Sequence, residues 1–280
     1  FIVDGSNKKL PISSMPNCFR WSLDLLLKEI ETCGKLGINN YVLFPAVENH
    51  LKDKTASYGY DSKNFYLKAI HTIKNNFPEF TLMSDVAMDP YSIDGHDGLV
   101  INGEIDNDQS LPILCKMALA QAEAGIDIIG PSDMMDGRIG AIRETLDDNE
   151  FTSTSIMSYT AKYASAFYGP FRDALNSEPK FGDKKTYQMD FRNSEEALRE
   201  VALDIKEGAD IVMVKPGMPY LDIIRSVKNN FKIPIFSYQV SGEYTLIKNG
   251  IKSGIINEDA ILESLVSLKR SGSNAIVSYF

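Results

Sequence analysis

Two lysines in this 280-residue chain close apolar, strand-like runs, where a side-chain amine can become buried. Lys162 ends a run that begins at Ser158, and Lys215 ends a run that begins at Asp210, directly before a Pro-Gly pair. Burial disfavours the charged ammonium, so the pKa of Lys215 is expected to fall, and a second lysine nearby would lower it further. A neutral buried amine attacks carbonyl carbons, which is the chemistry of a Schiff base.

Each lysine taken alone has a simpler interpretation. A lysine at a strand end commonly lays its apolar stem along the protein and holds its ammonium in water. The pair becomes a candidate for catalysis only if the fold brings both amines to one place. The elements that carry the two lysines therefore have to be considered next.

Apolar, β-rich segments alternate with helical patterns along the chain. The predicted strands are residues 1–3, 41–44, 81–86, 127–129, 155–158, 211–214, 234–238 and 274–279, and the predicted helices include residues 24–36, 109–124, 194–207, 220–229 and 258–270. Eight strands alternating with helices over this length predict an α/β fold, a (β/α)₈ TIM barrel that forms a single catalytic domain over residues 1–280. A doubly wound sheet is the alternative, which the lack of a GxGxxG or GKS/T loop after an early strand weakens.

Polar residues recur at the carboxyl ends of the predicted strands, which is where a barrel of this kind builds its active site. These residues are Asp85, Asp89, Ser132, Asp133, Lys162, Lys215, Ser241 and Tyr279. Both lysines are therefore predicted to lie in one cavity with carboxylates and hydroxyls.

Composition excludes several classes of partner. The net charge is -9, and no basic block is present to neutralise phosphates, so nucleic acid is not an expected partner. No apolar run approaches the length of a bilayer span and no signal or transit segment is visible, so no membrane partner is expected either. Cys18, Cys33 and Cys115 are odd in number and far apart, which predicts neither a disulfide framework nor a CxxC metal site.

Five segments carry a resemblance to a known family. They are residues 84–98 (SDVAMDPYSIDGHDG), 131–138 (PSDMMDGR), 159–172 (YTAKYASAFYGPFR), 214–222 (VKPGMPYLD) and 238–244 (YQVSGEY). Together they resemble the porphobilinogen synthase family, also called delta-aminolevulinic acid dehydratase, and the resemblance extends over essentially the whole chain. It implies a barrel lyase of tetrapyrrole (heme and chlorophyll) biosynthesis that condenses two molecules of 5-aminolevulinate to porphobilinogen with loss of two waters.

The resemblance also implies roles for individual residues. Lys215 resembles the lysine for the substrate that becomes the propionate side of the product, and Lys162 resembles the lysine for the acetate-side substrate. The clamp for the acetate-side carboxylate is implied to be Arg172, Lys184 and Gln188, and the hydroxyl pair for the propionate-side carboxylate to be Ser241 and Tyr279. For Lys184 the alternative is a solvated charge, although residues 182–188 fit a flexible lid that closes over substrate.

The resemblance departs from the zinc-type members of the family, which place three cysteines where this chain has Ala87, Asp89 and Asp97. Carboxylates select Mg²⁺ rather than zinc, so Asp89 and Asp97 are candidate Mg²⁺ ligands and no organic cofactor is expected. The alternative is an Asp-Gly turn in which aspartate bonds its own backbone. His96 is expected to be a hydrogen-bonding loop residue. Glu200 matches the family's second, allosteric Mg²⁺ position, although most acidic residues of an amphipathic helix are only its solvated face.

Both ends of the chain are shorter than the family pattern, so an N-terminal arm and the last barrel helix are expected to be absent. The family implies a homo-octamer for the full-length protein, and a plastid location, with the transit peptide absent from this chain, or a cytoplasmic one. Two other classes stay open. A class I aldolase needs one Schiff-base lysine and a phosphate site, for which residues 271–274 are a weak candidate, and in a non-catalytic barrel both lysines would titrate near the ordinary value of about 10.4.

Overall fold

In a computed structural model of the chain, parallel strands alternate with helices through residues 1–175, 177 and 179–280, which are the residues that the structure describes. The strands are β1 Lys9–Pro11, β2 Phe19–Trp21, β3 Asn40–Val42, β4 Thr81–Met83, β5 Leu99–Ile101, β6 Glu104–Asp106, β7 Ile128–Ile129, β8 Ser155–Lys162, β9 Ile211–Lys215, β10 Ile235–Tyr238 and β11 Ala275–Val277. The helices are α1 Leu23–Lys35, α2 Phe65–Asn76, α3 Asn107–Glu123, α4 Arg138–Asp148, α5 Gly169–Leu175, α6 Glu196–Glu207, α7 Leu221–Asn230, α8 Ser241–Lys252 and α9 Asp259–Ser271.

Seven of these strands form one sheet in the order β3-β4-β7-β8-β9-β10-β11, and each neighbouring pair is parallel. Parallel neighbours require a crossover, which the intervening helices supply. The sheet curls into a nearly closed barrel, so the predicted α/β barrel is confirmed. The pairs β1-β2 and β5-β6 are separate antiparallel hairpins.

The predicted first strand, residues 1–3, is wrong as a regular strand. Ile2 forms only single bridges, to Pro45 on one side and to Trp21 of β2 on the other. The hairpin strand β2 takes the hydrogen bonds on that side, since Trp21 donates to the carbonyl of Phe1 and Val3 donates to the carbonyl of Trp21. A seam is therefore left between this segment and β11, and stacked rings of Phe1 and Tyr279 cross it with centroids 6.0 Å apart.

The barrel interior is filled by large side chains from alternate strand positions. Met83, Met157, Tyr159, Met213 and Tyr238 are all buried and pack in one cluster. Successive residues of a strand point to opposite faces, so the residue two positions after Met213 also points inward. That residue is the last of β9, and the sequence has placed a lysine there. Within the part of the chain that the structure describes, no helix is long and apolar enough to cross a membrane.

Candidate active site

The two lysines lie side by side at the carboxyl end of the barrel. Lys162 of β8 is paired with Lys215 of β9 in the parallel register, so both side chains point to the same face of the sheet. The register shifts by one residue between Ser158 and Ala161, a β-bulge that changes which residues of β8 face inward. Because of this bulge, Lys162 joins Lys215 inside the barrel.

The amine of Lys215 lies in a box of aromatic rings. Its Nζ is 4.7 Å from the ring centroid of Tyr238, 5.0 Å from Tyr159, 5.2 Å from Phe171 and 5.4 Å from Tyr168. Among the described residues, none forms a hydrogen bond or an ion pair with this amine. Burial and the positive charge of Lys162 together lower the pKa of Lys215 to about 7. The amine can therefore exist uncharged near neutral pH, as its sequence context predicted.

Lys162 has polar neighbours instead. Its Nζ donates to the carbonyl of Ser132 in the loop after β7 and lies 3.4 Å from Oδ1 of Asp97. Only 5% of the residue is exposed, so the solvated alternative for this lysine is wrong. The amine of Lys215 thus has apolar surroundings, whereas the amine of Lys162 is paired with a carboxylate.

A loop between α5 and α6 closes over the two lysines. Lys184 of this loop is 7% exposed, and its Nζ lies 2.8 Å from Oδ2 of Asp97 and 3.2 Å from Oδ2 of Asp89. Burial opposes the charge, but the two carboxylates outweigh it and raise the pKa of Lys184. The interpretation of Lys184 as a solvated loop charge is therefore wrong. The hydroxyl of Tyr187 also donates to Asp97, at 2.9 Å.

His96 holds the same loop through two hydrogen bonds. Its Nδ1 is 3.1 Å from the hydroxyl of Tyr187, and its Nε2 is 3.1 Å from the carbonyl of Phe181. This arrangement agrees with the expected hydrogen-bonding role. Burial alone would raise the pKa of Asp97, but Lys162 and Lys184 together hold it well below its usual range.

Asp85 lies at the centre of the site. The sequence predicted its place at a strand end but no role for it. Burial and the neighbouring Asp89 raise the pKa of Asp85 to about 6, while Lys215 opposes the rise. Its Oδ1 is buried and has no hydrogen-bond partner among the described residues. A buried carboxyl that titrates near neutrality is suited to moving protons. The signal in the sequence was its position at the carboxyl end of the third predicted strand.

The predicted carboxylate clamp reaches the same cavity. Arg172 of α5, Lys184 and Gln188 line it together with both barrel lysines. Oε1 of Gln188 is buried without a hydrogen-bond partner, and the guanidinium of Arg172 forms no ion pair with any residue that the structure describes. The space left between these side chains is only about 30 Å³. The cavity is therefore small, with polar groups available on its walls.

The predicted hydroxyl pair lies on the Lys215 side. Tyr279 follows β11, and its hydroxyl is 2.7 Å from that of Tyr238, whose ring contacts the Lys215 amine. Ser241 is the first residue of α8, and its Oγ accepts a hydrogen bond at 2.9 Å from the backbone N–H of Phe171. The two hydroxyls thus border the aromatic box and not the clamp.

Glu200 is not brought to this cavity. It lies on α6 at a separate pocket of about 790 Å³, which Glu104, Asp136, Asp183 and Glu196 also line. Burial and the charge of Asp204 raise the pKa of Glu200 to about 6. The helix face is therefore acidic but partly buried.

The donor set at Asp89 and Asp97 suits Mg²⁺ better than zinc, and Mg²⁺ often binds through one or two carboxylates with waters. Within the described residues, no group of three or more His, Cys, Asp and Glu side chains is arranged to hold a metal ion. The oxygens of Asp89 and Asp97 converge on the Lys184 ammonium, which occupies the position of a cation between them. The two carboxylates therefore fit Mg²⁺ once Lys184 leaves.

The weak phosphate candidate of the aldolase reading lies elsewhere. Ser271 is the last residue of α9, and residues 272–274 lead into β11 at the amino end of the barrel. A helix carboxyl end carries partial negative charge, which repels an anion. The segment is therefore at the wrong end of the fold for a phosphate site beside the lysines.

Comparisons with known proteins agree along the whole chain. A family model described as "Delta-aminolevulinic acid dehydratase" matches residues 1–280. The protein of that name from Bradyrhizobium diazoefficiens is 52% identical, and the match covers 100% of this chain and 80% of that protein. The chloroplastic form from Oryza sativa subsp. japonica is 51% identical, and the match covers 100% of this chain and 66% of that protein. The solved structure of delta-aminolevulinic acid dehydratase (porphobilinogen synthase) from Toxoplasma gondii, in complex with the reaction product porphobilinogen, has a TM-score of 0.98 and 48% identity, and the match covers 100% of this chain and 80% of that one.

Proposed function

The chain belongs to the delta-aminolevulinic acid dehydratase family, and from this premise we propose that it is a porphobilinogen synthase, which joins two molecules of 5-aminolevulinate and releases two waters. The observation that carries this proposal is the pairing of Lys162 with Lys215 in one cavity at the carboxyl end of the barrel. A class I aldolase uses a single lysine, and a non-catalytic barrel has no reason to bury two amines side by side.

The first imine is proposed to form at Lys215. The uncharged amine adds to the ketone carbon of the first substrate. The carbonyl oxygen takes one hydrogen from the nitrogen and one proton from a neighbouring acid and leaves as water, and a protonated C=N bond results. The aromatic box supports this step, because it keeps the free amine uncharged and then faces the cationic imine with ring π-electrons. The hydroxyls of Ser241 and Tyr279, on the same side, are proposed to hold the substrate carboxylate.

The second imine is proposed to form at Lys162. In the product, the acetate arm is one carbon shorter than the propionate arm, so the acetate-side molecule must react through the carbon next to its ketone. An imine at Lys162 acidifies that carbon, while the imine at Lys215 activates the ketone carbon that it attacks. Two unlike environments for the two lysines are what such an unsymmetrical joining requires.

Asp85 is proposed to move protons between these steps. Its carboxyl is buried, burial and the charge of Asp89 raise its pKa to about 6, and one of its oxygens has no partner among the described residues. It can therefore accept a proton at a carbon or nitrogen of the substrate and return it later in the cycle. Asp97 is unsuited to this task, since Lys162 and Lys184 keep it ionised.

Lys184 is proposed to exchange partners during binding. The cavity of about 30 Å³ is too small for a second keto acid while Lys184 lies between Asp89 and Asp97. When the acetate-side substrate enters, its carboxylate would attract Lys184, with Arg172 and Gln188 as the other members of the clamp. The lid would then be fastened to substrate and not to protein.

The test is to incubate the protein with 5-aminolevulinate and to measure porphobilinogen with an aldehyde reagent for pyrroles. Lys215→Ala should abolish the product, and borohydride with substrate should label Lys215 by reducing its imine. Lys215→Arg should be equally inactive, because a guanidinium stays protonated and forms no imine. Label on a peptide that contains neither Lys162 nor Lys215 would refute the mechanism.

We propose Mg²⁺ as the metal of this protein, at two places. Asp89 and Asp97 would hold one ion beside the second substrate, where it would supply positive charge, and Glu200 would hold an allosteric ion on α6. Activity should then survive zinc-selective chelators and respond to Mg²⁺, and Glu200→Ala should lose the stimulation but keep a basal rate. Zinc retained tightly at equal stoichiometry would refute this assignment.

For the full-length protein we propose a homo-octamer, in line with the family resemblance, and a plastid or cytoplasmic location. Exposed apolar side chains support an assembly, for example Ile255 at 81% and Leu262 at 67% exposure on the α8-α9 side. Sedimentation of the full-length protein should give eight times the subunit mass, and a monomer at micromolar concentration would contradict it.

A further inference from the structure

A buried carboxylate joins the two loops that build the Lys215 side of the site. Glu243 lies in the first turn of α8 and is only 3% exposed. Its Oε1 accepts a hydrogen bond from the N–H of Met218 at 2.5 Å, and its Oε2 accepts from Val240 at 2.6 Å and from Gly217 at 3.5 Å. No side-chain cation of a described residue lies within ion-pair distance of this carboxylate, so backbone N–H groups alone balance its charge.

These three donors come from two different loops. Gly217 and Met218 supply the first two N–H groups after Lys215, because the intervening Pro216 has none. Val240 directly precedes Ser241, the proposed ligand of the substrate carboxylate. The bond to Val240 belongs to a capping box at the start of α8. The bonds to Gly217 and Met218 lie outside the helix and contribute nothing to its capping. One carboxylate therefore ties the residue that forms the first imine to the residue that holds its substrate.

Backbone segments approach each other closely around this carboxylate. A Cβ built on Gly217 would lie 3.1 Å from the carbonyl oxygen of Tyr238, and one on Gly242 would lie 2.4 Å from the carbonyl oxygen of Phe167, which follows β8. Real side chains do not tolerate the second distance, so glycine is needed for α8 to reach this position. The turn after β9 therefore lies directly against the end of β10, and the start of α8 lies against the segment after β8.

The geometry suits an ionised carboxylate. Burial raises the pKa of Glu243 to about 7, and the N–H groups of Val240, Met218 and Gly217 oppose that rise. An amide or a protonated acid in the same place would turn a hydrogen toward an N–H donor and leave at least one bond unmade.

We propose that Glu243 is a positioning residue for the first substrate: it sets the distance between the Lys215 amine and the carboxylate-binding hydroxyl of Ser241. This inference rests on the proposed Schiff base at Lys215. Glu243 does not touch the substrate itself. It acts by holding the turn after β9 and the start of α8 in one register, so that a ketone and a carboxylate separated by two methylene groups reach both partners at once.

The experiment compares two ketones. One is 5-aminolevulinate, and the other is aminoacetone, which keeps the aminomethyl ketone but has no carboxylate. Each is incubated with the protein and borohydride, and the rate of adduct formation at Lys215 is measured by mass spectrometry of the digested peptides. In the wild type the carboxylate should make 5-aminolevulinate the faster label.

In Glu243→Gln this preference should fall by about tenfold to a hundredfold, because a misplacement of about 1 Å costs that much in a reaction that depends on alignment. Aminoacetone has no carboxylate to align and should label the variant at close to the wild-type rate. Asp210→Asn is the matched control, since Asp210 also accepts a backbone N–H, from Ile156, but at the opposite end of β9. It should keep the wild-type preference.

Equal loss of both labels in Glu243→Gln, or an unchanged preference, would show that the carboxylate has a structural role only and would overturn the inference. If the glutamine variant does not fold, Glu243→Asp carries the test, since it keeps the charge, is shorter by one methylene and should give an intermediate preference. A wild-type protein that forms no adduct at Lys215 with either ketone would instead overturn the proposed function, so the two failures are distinguishable.

Discussion

Lys215 and Lys162 have the same side chain and pair directly across two strands, yet their surroundings are unlike. Four aromatic rings surround one amine, whereas the other has a carbonyl and the carboxylate of Asp97. The rings withhold solvation from an ammonium, while Asp97 favours it. The same residue type therefore presents an amine with apolar surroundings in one pocket and an amine paired with a carboxylate in the other.

The labelling of Lys215 should follow its pKa. Because that pKa is about 7, the ammonium dominates below this pH and the free amine above it, so the rate of borohydride trapping should rise through a midpoint near pH 7. Lys162→Gln removes a like charge and should move the midpoint upward. Lys185→Gln is the control, since Lys185 is an exposed lysine paired with Asp183, and should leave the midpoint in place. A midpoint near 10 in the wild type would contradict the assignment.

Removal of Lys184 should separate the two substrates. Among the described residues, the ammonium of Lys184 forms ion pairs with Asp89 and Asp97 and with no other carboxylate, so Lys184→Ala should still form the imine at Lys215. The concentration of substrate needed for product should rise, because a charge-assisted bond to the second carboxylate is lost. Mass spectrometry of the borohydride-treated variant checks this. Loss of the single adduct at Lys215 would show that the pocket assignment is reversed.

For individual residues, the sequence predicted which side chains lie together at the strand ends but not which of them form ion pairs. The strand ends placed Asp85, Lys162 and Lys215 together, since side chains at the carboxyl ends of a barrel converge. The ion pairs of Lys184 with Asp89 and Asp97 could not be predicted, because they join segments about 90 residues apart through a loop with no regular structure. The same carboxylates were therefore interpreted only as metal ligands or turn residues.

Among the elements, β8 differs most from its prediction. The pattern of residues 155–158 predicted a short strand followed by Lys162, whereas β8 continues to Lys162 through a bulge. A period of two cannot reveal an inserted residue when both faces of the strand are buried, as they are here. The sequence thus indicated that Lys162 lies near the site but not which way it points.

The predicted helices agree with α1, α3, α6, α7 and α9 to within a few residues. The helices α2, α4, α5 and α8 were not among the predicted helices named above, and α4, α5 and α8 contain glycine within their span, which weakens the helical signal. No such reason applies to α2, where Tyr66, Ala69, Ile70 and Ile73 recur at helical spacing and are buried. That helix was predictable from periodicity.

The position of α8 should be sensitive to a single methyl group. Gly242→Ala would place a Cβ 2.4 Å from the carbonyl oxygen of Phe167, so the start of α8 must shift and take Ser241 with it. We expect a loss of about 1–3 kcal/mol in the free energy of unfolding and a higher half-saturation for the first imine. Urea unfolding and the borohydride titration measure these two effects.

Gly169→Ala provides the control for that substitution. Gly169 begins α5 with open space around its Cβ position and a helical backbone, so alanine there should be neutral or slightly stabilising. If Gly242→Ala also unfolds like the wild type and binds substrate unchanged, the close approach of α8 to Phe167 does not position Ser241.

For the whole molecule, the incomplete closure of the barrel gives Tyr279 two tasks. Its ring stacks on Phe1 across the seam, and its hydroxyl is a proposed ligand of the substrate carboxylate. Tyr279→Phe keeps the ring but removes the hydrogen bond to the buried hydroxyl of Tyr238, so stability should fall by about 1 kcal/mol, and binding of the first substrate should weaken by about 0.5–1.5 kcal/mol for one neutral hydrogen bond. Thermal unfolding measures the stability, and the substrate concentration for half-maximal borohydride trapping measures the binding.

Tyr244→Phe is the matched variant for this test. Tyr244 packs against Tyr279 with ring centroids 5.8 Å apart, but its own hydroxyl bonds to the carbonyl of Pro16, away from the lysines. It should lower stability and leave substrate binding unchanged. Weaker substrate binding in Tyr244→Phe together with unchanged binding in Tyr279→Phe would contradict the role assigned to the hydroxyl of Tyr279.

The bulge in β8 bears on how such a site could arise. If the same residues paired without a bulge, the alternation of the strand would turn Lys162 toward the helices and leave Lys215 without a partner amine from the barrel strands. Whether the barrel strands present one reactive amine or two is therefore decided by how β8 pairs with β9 as well as by the residue types. A one-residue shift in pairing, with every side chain kept, is enough to add or remove a whole chemical step.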